Sequence, residues 1–63
     1  MRYTVFVPPG TLPNVMAGPL PGGPLESVGL IDAVGDLEEA EMLAADVPGA
    51  KIWDEVESRV VER

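Results

Sequence analysis

Nucleophilic catalysis needs a hydroxyl, thiol or amine beside an activating base, and in this chain of 63 residues both are scarce. Histidine and cysteine are absent, lysine occurs once, as Lys51, and the side-chain hydroxyls are those of Tyr3, Thr4, Thr11, Ser27 and Ser58. None of these stands at a spacing that nominates a nucleophile and its base, and so short a chain supplies few walls for an enclosed pocket. The expectation is that the protein is not an enzyme and has no small-molecule substrate.

Paired carboxylates could serve a glycosidase or an oxygen-ligand metal site. Glu38, Glu39 and Glu41 instead fall on the solvent side of a predicted amphipathic helix. Asp32, Asp36 and Glu38 are close in sequence, but they lack the central glycine and terminal glutamate of a calcium loop. Structural zinc needs thiolate and imidazole ligands, so no metal is expected. Gly22-Gly23 has the look of a phosphate cradle, yet Pro24 follows it and neither a Walker lysine nor a helix start comes next. No cofactor is expected either. Pro21-Gly22-Gly23-Pro24 formally matches a P-x-x-P ligand. Two glycines soften it and no basic residue flanks it, so it reads as an extended structural loop.

Charge removes further classes. The net charge of −7 opposes direct nucleic-acid binding, whose favourable term comes from lysine and arginine displacing counterions. It disfavours anionic membranes for the same reason. No signal-peptide apolar region is visible, since only five residues separate Arg2 from Pro8, and no stretch approaches the ~20 apolar residues of a membrane span. A cytoplasmic location, or a place in a soluble assembly, is expected. The abundance of Ala, Gly, Pro, Val, Glu and Asp resembles a high-GC coding bias.

The elements that must position these residues are punctuated by proline. Residues 2–7 are rich in β-branched and aromatic types and end at Pro8, which has no N–H for a ladder; they read as a strand with Tyr3, Val5 and Val7 on one face and Thr4 and Phe6 on the other. Residues 8–25 hold six of the seven prolines and read as an extended Pro/Gly-rich connection, with Leu12, Val15, Met16, Leu20 and Leu25 giving it apolar groups to bury. A loop this long is uncommon in a compact domain unless it has a task. Residues 26–34 predict a second strand, with Val28 and Leu30 on one side and Ile31 and Ala33 on the other.

Asp36 and Glu39 stand in capping-box spacing and open a helix over 37–47. Its apolar stripe is Leu37, Ala40, Leu43, Ala44 and Val47, and Pro48-Gly49 stops it. Met42 breaks the pattern on the acidic face formed by Glu38, Glu39, Glu41 and Asp46. The tail from Ala50 has a helical reading through Trp53, Val56 and Val60, but β-branched Ile52, Val60 and Val61 favour a hairpin of 50–54 and 59–62. The fold expected over 1–63 is a single small α+β domain: a three- to four-stranded sheet in the order β-loop-β-α-β-β with one amphipathic helix on one face.

One helix cannot cover both sides of a sheet. With Ile52 toward the helix, Trp53 falls on the opposite face beside Phe6, where either the 8–25 segment or a second protein must cover it. A ~60-residue domain buries only about 60% of its unfolded surface, and without disulfide or metal the remaining supplement is self-association or a protein partner. Two functions fit. The first is a non-catalytic protein–protein interaction module, a small accessory or structural component docking on a larger assembly such as a phage particle. Trp53, Phe6, Leu12, Met16 and Leu20 are its candidate contacts. The alternative is an acidic inhibitor that blocks a nucleic-acid-binding site on a host protein, with Glu38, Glu41 and their neighbours standing for phosphates and Met42 adding apolar contact.

Overall fold

The computed structural model describes residues 1–11, 15–23 and 27–61. Leu12 and Leu25, two of the apolar residues of the connection, lie outside the described residues.

The chain forms one antiparallel sheet with a single helix on one face. Strands β1 (Tyr3–Val7), β2 (Met16–Gly18), β3 (Val28–Val34), β4 (Lys51–Asp54) and β5 (Arg59–Val60) lie in the spatial order β2-β3-β1-β4-β5. The most β-branched and aromatic run of the sequence takes the central position, and all five residues of β1 are buried. The sheet therefore has five strands, where three or four were expected. The additional one is β2, inside the stretch read as irregular: Met16 pairs with Leu30 and Gly18 with Val28. Gly29 lies opposite Val7, and a methyl group there would meet Val7 and Val15 side chains at 2.7 Å, so only glycine lets that corner close.

Helix α1 (Leu37–Ala45) is capped by Asp36, whose carboxylate accepts the Glu38 N–H at 3.2 Å. Ala40 is fully buried, and Leu37, Leu43 and Ala44 pack around it against Tyr3, Val5, Val34 and Ile52. The helix stops at Ala45 rather than Val47. Asp46 closes it in a right-handed conformation, and Pro48-Gly49 belongs to a separate turn in which the Ala50 N–H donates to the Val47 carbonyl. With proline at its second position and a positive φ of 81° at Gly49, this turn is type II. The other two Pro-Gly pairs do the same. Gly10 and Gly22 have φ of 82° and 69°, and bonds run from Thr11 N–H to Pro8 and from Gly23 N–H to Leu20. Pro21-Gly22-Gly23 is thus a tight turn and not an extended segment.

The second correction concerns faces. Val5 pairs with Asp32 but Phe6 with Leu30, leaving Ile31 as an extra residue in β3. This β-bulge shifts the alternation. Ile31 packs toward the helix, whereas Ala33, directly opposite Thr4, shares the outer face with Trp53. The two were expected side by side. The tail forms the hairpin of β4 and β5, extended by a bond from the Val61 N–H to the Ile52 carbonyl.

Candidate functional site

The sheet face away from the helix is where covering is needed. Phe6, Leu20, Val28 and Trp53 form a second buried cluster there, with Leu30 and Val60 at its margin. Leu20 comes from residues 19–23, the described stretch that follows β2, which folds back as a strap over the sheet. The strap reaches β4, two strands away from β3, or roughly 10 Å at ordinary strand spacing. At its tip the indole Nε1–H of Trp53 donates to the Pro21 carbonyl at 2.8 Å, and Gly23 lies so close that a methyl group would stand 2.7 Å from Trp53 Cζ2. Trp53 is only 5% exposed. Of the two covers open to this tryptophan, the chain supplies its own. Trp53, Phe6 and Leu20 are therefore brought together, but inside the chain's own core.

The strap leaves part of the outer face open. Beside it lies a groove of about 310 Å³ lined by Thr4, Leu30 and Ala33 along the sheet and by Met16, Pro19 and Pro21 at its sides, with Asp32 and Glu55 at its polar margin, where the bulge at Ile31 also borders it. Met16 is 75% exposed, on the edge strand that sequence patterning missed. Both carboxylates are held by one oxygen: Asp32 Oδ1 accepts the Ala33 N–H at 2.8 Å, and Glu55 Oε2 accepts the Thr4 hydroxyl at 3.1 Å.

A buried polar node lies where β4 enters the β4–β5 turn. Asp54, only 4% exposed, accepts Arg2 Nε and Nη2 at 3.3 and 3.1 Å on its two oxygens, and its Oδ1 also accepts the N–H groups of Val56 and Glu57 at 2.9 and 3.2 Å. The Arg2 hydrogen bond holds the Asp54 carboxyl below its usual range; desolvation opposes this, and the bonds from Glu57 and Val56 add to it. The Glu55 N–H donates to the Arg2 carbonyl, so Arg2 ties the start of β1 to the β4–β5 turn. Sequence reasoning assigned Asp54 no such role. Its signal was an Asx residue followed by a polar turn.

The helix presents a different surface. Met42 is 67% exposed and shares a shallow depression with Glu39, Leu43, Ala45 and Asp46. Glu38 is exposed on the first turn. Glu41 is half-buried and lines the cleft between the helix and β4 together with Lys51, Ile52 and Val61. The acidic residues of the helix are thus divided between two surfaces. No group of three or more acidic residues among the described residues is placed to hold a metal ion, and no helix of the described residues is long and apolar enough to cross a membrane.

Comparison with known proteins gives no match: no family model, no curated protein and no solved structure matches this chain.

Proposed function

We propose that this chain is a non-catalytic protein–protein interaction module, a small accessory or structural component that docks on a larger assembly such as a phage particle. The observation that supports it is the open groove on the outer face. The strap seals the Trp53 half of that face and stops beside an apolar strip whose rim residue, Met16, stands in solvent. Methionine at such a position offers a flexible contact suited to a partner's surface. The groove is open and close to the lower end of the roughly 300–1,000 Å³ spanned by small-molecule pockets, a size that admits one or two side chains of a partner.

A second reading, the acidic inhibitor of a nucleic-acid-binding protein, draws on exposed Met42 between Glu39 and Asp46. It ranks below the first because the helix carboxylates are divided between two surfaces instead of forming a long track.

Mass-resolved size measurement of the chain, alone and in a lysate of its native cell, tests both. The module reading expects a larger species that Met16→Asp dissociates and that Glu38→Lys with Glu41→Lys leaves intact. The opposite pattern, with steep weakening as salt rises, supports the inhibitor. A chain that stays monomeric in the lysate overturns both.

A further inference from the structure

Resting on that reading, we infer that the groove receives a long basic side chain, lysine or arginine, presented by the partner protein. Its sheet floor and sides are mainly apolar, formed by Leu30, Ala33, Met16, Pro19 and Pro21, while its charged lining is Asp32 and Glu55, with no basic residue among the described residues that line it. Lysine and arginine match such a surface in two parts: the aliphatic stem lies on apolar groups and the charged head reaches a polar margin. An acidic side chain would meet two carboxylates, and a purely apolar one would leave them unanswered. The carboxylates are also positioned, since the Ala33 N–H holds Asp32 and the Thr4 hydroxyl holds Glu55. Arg2 and Arg59 are engaged by Asp54 and Glu57, and Lys51 lines the cleft beside the helix. Complementary charge at a rim selects the partner and speeds encounter more than it adds affinity.

The probe is a capped pentapeptide, Ala-Val-X-Val-Ala, with X as lysine, norleucine or glutamate, titrated at low ionic strength into the isotopically labelled full chain and followed by amide chemical shifts. Norleucine keeps the stem and removes the charge. Shifts centred on Thr4, Met16 and residues 30–33 are expected, with lysine bound about five-fold more tightly than norleucine and glutamate weakest. Asp32→Asn with Glu55→Gln keeps acceptors for Ala33 and Thr4, and should abolish the preference for lysine. Shifts centred on the helix, equal binding of lysine and norleucine, or a lysine preference that survives the double variant would each overturn the inference. Its failure is distinct from failure of the module reading, which the size measurement reports whatever the peptides do.

Discussion

Replacing Gly23 by alanine tests the strap directly, because packing and backbone effects separate at this residue. Gly23 does not need a left-handed conformation, so alanine is allowed by the backbone, but its methyl group would lie 2.7 Å from Trp53 Cζ2 and 3.1 Å from Cε2 and Cη2. Carbon atoms prefer about 3.5–4.0 Å. The indole cannot retreat freely, being packed among Phe6, Leu20 and Val28 and held by its bond to Pro21. Overpacking of this kind costs about 1–3 kcal/mol, and the reduced freedom of the unfolded chain returns about 0.4–1 kcal/mol. The net loss is about 1–2 kcal/mol, a large share of the roughly 3–5 kcal/mol that a core of this size supplies. Urea unfolding followed by fluorescence reads it cleanly, since Trp53 is the only tryptophan. The midpoint should fall by roughly 1–2 M for a slope near 1 kcal/mol/M, and native emission should shift to the red as the strap lifts. Gly10→Ala is the control. It has φ of 82° and nothing within 4 Å of the added methyl, so it should cost about 1 kcal/mol through the backbone alone and leave the emission unchanged. An unchanged midpoint and emission for Gly23→Ala would refute the packing of the strap on Trp53.

Other outcomes follow from single residues. Ser58 adopts a positive φ of 53° in the β4–β5 turn, so Ser58→Gly should raise stability by about 0.5–1 kcal/mol, read as a higher thermal midpoint. Asp36→Ala removes the helix cap and should cost about 0.5–2 kcal/mol, measured by denaturant unfolding followed by circular dichroism. For Asp54 the folded carboxyl is lowered, so its stabilising contribution is complete above the ordinary value of about 3.9 and is lost as the pH falls through the folded value. Asp54→Asn should therefore be less stable than the parent at neutral pH and should show a flatter acid limb; parallel acid limbs would contradict the Arg2–Asp54 assignment.

The parts of the fold legible in the sequence are those decided locally. Period-two runs mark β1 and β3, Asp36 marks the helix start, and β-branched residues mark the closing hairpin. The strand β2 was hidden because Met16-Ala17-Gly18 has no alternation or β-propensity of its own; pairing with β3 makes it a strand. The bulge at Ile31 was hidden for a related reason: a sheet buried on both faces lets an extra residue pass between them, and no single strand shows where. The candidate site divides in the same way. The exposure of Met42 follows from helical spacing, whereas the cover over Trp53 depends on how far the Leu20 turn reaches. The turn itself was read as an extended loop, whereas each Pro-Gly pair in the sequence forms a type II turn.

This self-covering changes the ground for a partner. From composition, the case rested on a core too small to stand without help and on a tryptophan face in need of a lid. The strap gives the molecule three layers, helix, sheet and strap, with a buried cluster on each side of the sheet, so the need for a lid no longer argues for a second protein. What supports a partner now is narrower: an apolar strip beside the strap, with Met16 exposed and Asp32 and Glu55 at its margin. A partner docked on this strip is also easier to test for. Under the core argument any variant that weakened partner binding could equally have weakened the fold, because the same residues served both. Met16, Asp32 and Glu55 lie outside both buried clusters, so substitutions there can separate docking from folding, as substitutions at Trp53 or Phe6 cannot.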